Sequence, residues 1–169
     1  MDIGDTSGGR KLLKYMKLFL FSLSVLLLLN GCSSANTSKD LFELKGSYIG
    51  DNSAVVHIVH QLLHEEEFKK LELQTKEQPY GIHLAYEDIS GGDNEHKKVA
   101  IYNATFIFAL IQNADWITFQ FDDTEYTLTK KELESWYTQQ LSDFSSEQSL
   151  KELATDYLND EEKVNKLFH

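Results

Sequence analysis

Three histidines, His57, His60 and His64, fall at i, i+3 and i+7 in the stretch "GDNSAVVHIVHQLLHEE", which reads as a helix. At 100° per residue their side chains stand at about 0°, 300° and 340°, while the apolar stripe of Val55, Ile58, Val59 and Leu62 centres near 180°. The three imidazoles therefore share the predicted solvent face. His60 and His64, one turn apart, have the spacing to chelate Zn²⁺, Cu²⁺ or Ni²⁺, with Glu67 as an oxygen ligand. A closed site needs a ligand from a second element, which His83 or His96 would have to supply. Without one, the three are polar residues on a wet face, so the sequence assigns no metal and keeps His57, His60 and His64 as the alternative. Other chemistry is scarce. There is no glycine-rich phosphate loop, no HExxH, no CxxC and no GxSxG. Serine, histidine and aspartate are scattered, and acidic runs such as Asp122-Asp123 and Glu65-Glu66-Glu67 read as solvated faces. No catalytic residue and no cofactor is assigned, and the chain reads as a non-enzyme. Trp116, Tyr126, Trp136 and Tyr137 either line a ligand groove or belong to the core and its edge.

The second reactive residue is Cys32, the one cysteine in the chain. It closes the stretch "LFLFSLSVLLLLNGCSS", whose apolar run from Leu18 to Leu29 is too short for a bilayer span of about twenty residues. Arg10, Lys11, Lys14 and Lys17 precede it, so a basic flank leads into a short apolar core, the pattern of an export signal. Leu29-Asn30-Gly31-Cys32 resembles the bacterial lipobox, with an aliphatic residue three before the cysteine and a small one directly before it. The resemblance implies a diacylglyceryl thioether on Cys32, cleavage before it and acylation of the new amino terminus. Two or three acyl chains, each buried methylene contributing about 0.8 kcal/mol, make a stable anchor. Residues 1–31 are then a lipoprotein signal peptide, of which 1–15 are an upstream mis-start or a long basic region, since Met16-Lys17 also reads as a start. Residues 32–41 are a small, polar tether. Loss of residues 1–31 removes four basic and two acidic residues and moves the formal charge from −11 to −13. Such a surface repels nucleic acid and anionic headgroups and favours cations or basic partners. With no cysteine beyond Cys32 to pair, the domain cannot rely on a disulfide.

The elements that would position these residues follow from periodicity. "FELKGSYI" (42–49) suggests a short strand. The histidine helix follows, capped by Asn52 or Ser53. "FKKLELQT" and "GIHLAYEDI" alternate about a turn at Gln78-Pro79-Tyr80-Gly81, which makes a hairpin. "SGGDNEHKK" reads as an exposed loop. "KVAIYNATFIFALIQN" is apolar nearly all round and should be the most buried helix, with Phe106 or Leu110 against the sheet. "DWITFQF" and "EYTLT" form a second hairpin about Asp122-Asp123-Thr124. Thr129 and Glu132 match a capping box that opens the helix "KKELESWYTQQ". Leu150, Leu153, Ala154, Tyr157 and Leu158 mark an amphipathic C-terminal helix, followed by a shorter piece to Phe168. The order helix then hairpin occurs twice, with matching entries at Asn52 and Asn103, so an internal duplication is one reading of it. The expected architecture is an α+β two-layer sandwich. Its antiparallel sheet has four to five strands, in two hairpins, with helices on one face and a C-terminal amphipathic helix besides. Residues 42–144 form this domain and 145–169 the C-terminal helical segment.

"YIGDNSAVV", "LELQTKEQPYGI", "YNATFIFALIQNADWITFQFDD" and "YTLTKKELESWY" together resemble the domain-of-unknown-function 4825 family over roughly Ser47 to Phe144. That family occurs in lipoproteins of Bacillus-like bacteria and beside or within membrane signalling proteins. The resemblance implies an extracytoplasmic domain of a Gram-positive bacterium and implies no activity. In the family, asparagines and a Leu-Pro step stand where this chain has His57, His60 and Leu63, so it implies no shared role for those histidines. The expected function is a lipid-anchored, non-catalytic binding or signalling module on the outer face of the cell membrane. Its partners would be the membrane, through the N-terminal lipid, and an envelope protein or ligand, with nucleic acid excluded. The alternative is a surface metal-binding lipoprotein that uses the histidine-bearing helix face.

Overall fold

The computed structural model describes residues 40–168. Cys32, the expected signal peptide and most of the expected tether lie outside them. In chain order the elements are α1 (Asn52–Val59), β1 (Phe68–Gln74), β2 (Gly81–Tyr86), α2 (Gly92–Leu110), β3 (Trp116–Phe121), β4 (Thr124–Thr129), α3 (Lys130–Tyr137), α4 (Glu147–Leu158) and α5 (Glu161–Leu167). The α+β two-layer arrangement is as expected, with one correction. The sheet order is β1-β2-β3-β4, and its central pair, β2 and β3, is parallel. Only the outer pairs are the antiparallel hairpins. The cause is α2. Its 19 residues carry the chain back along the sheet, so β3 must start at the end where β2 started.

Alternation sorts the strands. Ile82, Leu84 and Tyr86 of β2 and Ile117, Phe119 and Phe121 of β3 are buried beneath the helices. Helix α2 forms the centre of the helical layer, with Phe106 1%, Phe108 0% and Leu110 0% exposed. The C-terminal segment joins the same core, since Leu150 of α4 and Val164 of α5 are buried in one cluster with α2. The expected capping box is present. Thr129 Oγ1 accepts from the Glu132 amide (3.2 Å), and Glu132 accepts from the Thr129 amide (3.1 Å).

Four expectations fail for physical reasons. Residues 42–49 form no strand; Leu41–Leu44 is a 3₁₀ turn capped by Asp40. Gly46, at φ 91°, breaks the extended run, and its amide donates to Leu110 O at the end of α2. Residues 92–98 are helix rather than loop: Asp93 and Glu95 suit the N-terminal dipole, and Asp93 pairs with Lys97 one turn on. Asn103 consequently lies inside α2 and opens no helix, which removes the matching entry on which the duplication reading rested. Helix α1 is capped by Asp51 rather than Asn52 or Ser53, and it stops at Val59.

That last stop has a visible cause. Asn103, fully buried on α2, accepts from the Leu63 amide and donates to the Leu63 carbonyl, both at 3.1 Å. A side chain from another element thus satisfies the backbone groups that continued helix would have paired. The chain turns away, and His64 takes a left-handed conformation at φ 61°. Asn103 also donates to the Tyr86 hydroxyl at 3.1 Å, which ties the turn to the sheet.

Candidate functional site

Among the described residues, the helices cover one face of the sheet and leave the other open. Because β2 and β3 run parallel in register, the outward side chains line up in three rows across four strands. The first row is Gln74, Gly81, Trp116 and Thr129. The second is Glu72, His83, Thr118 and Thr127. The third is Lys70, Ala85, Gln120 and Glu125. Rows lie about 6.6 Å apart, two residues of strand rise.

Trp116 is the large side chain of this face. An ideal Cβ on Gly81 would meet Trp116 Cε2 and Cζ2 at 2.0 Å, so the indole lies over the glycine backbone, which only a residue without a side chain permits. Trp116 Nε1 donates to Pro79 O at 3.1 Å, and the His83 ring stands at 78° to the indole with centroids 4.9 Å apart. The indole is therefore held at one face, its nitrogen and one side.

The third row makes a dimple. Ala85 is small, and Lys70, Glu72, His83, Thr118, Gln120 and Glu125 surround it, enclosing about 70 Å³. Lys70 pairs with Glu72 at 2.7 Å, and that hydrogen bond holds the Glu72 carboxyl below its ordinary range. Thr118 and Thr127 hydroxyls share a bond of 2.7 Å. Beyond the carboxyl ends of the parallel pair, Glu87, Asp88, Asp122 and Asp123 rim an open hollow of about 650 Å³, together with Lys69 and Lys70.

The histidines are not brought together. His57 is exposed on α1, and His60 is exposed with its Nδ1 3.3 Å from Glu65. His64 has left the helix and lies between Glu67 (Nδ1, 3.3 Å) and Glu95 (Nε2, 4.0 Å). The shared helix face required for chelation is absent because α1 ends before His60. The two candidate extra ligands go elsewhere: His83 to the open sheet face, and His96 into the core, stacked on Phe121 at 4.7 Å. Among the described residues, no group of three or more His, Cys, Asp or Glu is placed to hold a metal ion.

The four aromatics do not form one groove either. Trp116 is on the open face. Tyr126 lies on the opposite side of the sheet, donates to Asp93 and packs on Phe168. Trp136 and Tyr137 pack with Tyr157 among the helices. Burial raises the hydroxyls of Tyr86 and Tyr126 to about 12. Asp93 is held below its usual range, first by Lys97 and then by the Tyr126 hydroxyl.

The open face was missed in the sequence, although the alternation in "GIHLAYEDI" and "DWITFQF" already marks its members. What alternation lacks is row alignment across β2 and β3, which depends on their parallel pairing. Among the described residues, no helix is long and apolar enough to cross a membrane.

A family model described as Domain of unknown function (DUF4825) matches residues 41–132, which ends within α3 and leaves α4 and α5 beyond it. No curated protein and no solved structure matches the chain.

Proposed function

The chain belongs to the DUF4825 family, whose description attaches no activity to the domain, and from that premise we propose a lipid-anchored, non-catalytic binding or signalling module. Cys32 would carry the lipid and hold the domain on the outer face of the cell membrane, where it meets an envelope protein or ligand. The observation that carries the recognition role is the uncovered sheet face, with its aligned polar rows beside a fixed indole. Such a flat, polar, preorganised surface suits binding, because little ordering cost remains when a ligand arrives.

Two measurements in intact cells test this. Labelled fatty acid should enter the wild type, while Cys32→Ser should leave it unlabelled and release it or leave it unprocessed. Membrane retention of an unlabelled wild type would refute the anchor. A photocrosslinking residue at Gln120 or Thr127 should capture a partner that the same residue at Glu152, on α4, does not. Equal capture from both sides of the domain would refute the face.

A further inference from the structure

We propose that the ligand of the open sheet face is an uncharged glycan chain that stacks on Trp116 and extends along the strands to the dimple at Ala85; this rests on the reading of that face as the recognition surface. The argument begins with charge. The whole chain carries −11, yet the Trp116 row (Gln74, Gly81, Trp116, Thr129) holds no charge and Lys70 and Glu72 neutralise each other at 2.7 Å, so the unpaired carboxylates, Glu125 and the rim of Glu87, Asp88, Asp122 and Asp123, gather at the far end beyond Ala85. The end of the face that carries the indole thus offers no ionic partner to a charged ligand, and the acidic molecule around it repels polyanions. Its chemistry matches a neutral ligand.

Polarity removes a second occupant. A further sheet or a second copy packed face to face would bury Lys70, Glu72, His83, Gln120 and Glu125, at a desolvation cost that no apolar contact in these rows offsets. An occupant must therefore bring its own hydrogen-bonding groups while offering a flat apolar patch to the indole. A pyranose ring has this combination, with axial C–H groups on one face and hydroxyls around its rim.

The geometry supplies both halves. Trp116 has one face on Gly81 and its nitrogen satisfied by Pro79 O, so its remaining surface is turned outward and cannot swing. Thr127, Gln120 and Glu125 follow along the strands as donors and acceptors. From the Trp116 row to the Ala85 row is about 13 Å, four residues of strand rise, which a short oligosaccharide can span. The dimple of about 70 Å³ has room for a small substituent on a sugar ring but not for a ring itself.

The test uses the full-length protein in detergent micelles, with Trp136→Phe so that Trp116 is the one emitting indole. The probes are cellotetraose, tetra-N-acetylchitotetraose and tetralysine, with binding followed by tryptophan emission and calorimetry. A neutral tetrasaccharide is expected to alter Trp116 emission and to bind in the micromolar to millimolar range. Trp116→Ala should weaken binding by at least about tenfold, the usual size of one lost aromatic stack, and Trp116→Phe by less. Since Trp116→Ala could disturb the sheet at Gly81, Ala85→Arg provides an independent variant that fills the dimple from an already outward position. It should abolish or strongly weaken the same binding with an unchanged circular dichroism spectrum. No response to either tetrasaccharide at millimolar concentration overturns the glycan assignment, as does binding that survives Ala85→Arg. If tetralysine binds instead and Ala85→Arg abolishes that, the glycan assignment falls while the recognition face stands. If no probe responds and crosslinking is equal on both sides of the domain, both fall.

Discussion

Replacing Asn103 with alanine removes one buried side chain and orphans three groups at once. The amide and carbonyl of Leu63 lose bonds of 3.1 Å each, and the Tyr86 hydroxyl loses its bond of 3.1 Å. Tyr86 is 1% exposed, so water cannot replace its lost partner, and an unsatisfied buried polar group costs about 1–3 kcal/mol. Leu63 is 40% exposed, so water can reach its backbone and the cost there falls to about 1 kcal/mol for each bond. The total is about 3–5 kcal/mol, a large share of the roughly 5–15 kcal/mol that holds a domain folded. In a urea titration with an m-value of about 1–3 kcal/mol per molar, the midpoint should fall by roughly 2 M. Tyr86→Phe alone should cost about 1 kcal/mol. The double variant should cost less than the sum of the two, because the orphaned hydroxyl is then gone. Amide exchange at Leu63 should also accelerate in Asn103→Ala, since this bond holds the turn after α1. A cost for Asn103→Ala below about 1 kcal/mol, or strict additivity with Tyr86→Phe, would refute the clamp as the reason α1 stops at Val59.

Truncating Phe106 to alanine should cost about 3–5 kcal/mol by denaturant titration, because the side chain is 1% exposed within the core cluster and the cavity cannot collapse far; a loss under about 1 kcal/mol would contradict that packing. Thr129→Ala should cost about 1 kcal/mol by removing one half of the capping box that starts α3, and an unchanged midpoint would show the cap to be dispensable. Stability should also fall in alkali. Burial raises Tyr86 to about 12 and pushes Tyr137 higher still, against about 10 in the unfolded chain. Between these values the unfolded state has lost protons that the folded state keeps, so stability is complete below pH about 10 and declines as pH rises through the folded values. Urea midpoints should be flat up to about pH 9 and then drop together with the onset of phenolate absorbance; a flat midpoint through pH about 11 would refute the buried neutral tyrosines.

Local signals settle much of this protein. Period-two alternation marks β1 to β4, because a strand with one buried face must alternate whatever its neighbours are. Thr129 and Glu132 announce α3 through a bond made within four residues. The apolar circumference of "KVAIYNATFIFALIQN" announces the most buried helix, since such a surface tolerates no water on any side. The −11 charge is likewise read without a fold. Tertiary structure decided the rest, wherever a distant partner outweighed a local preference. The direction of β3 was set by the return path of α2, although each hairpin alone would have suited an antiparallel sheet. Gly91 and Gly92 read as a loop, but the acidic first turn and the Asp93–Lys97 pair extend α2 back to Gly92. His64 carried a helical spacing until Asn103, forty residues away, captured the Leu63 backbone and turned the chain out of the helix. Trp116 reads in the sequence as either a groove or a core-edge aromatic, and its neighbours are fixed by a register across β2 and β3 that no local pattern encodes. Spacing along the chain specifies what a segment can do alone; which side chains meet depends on hydrogen bonds and packing between segments, and those exist only once the whole chain is folded.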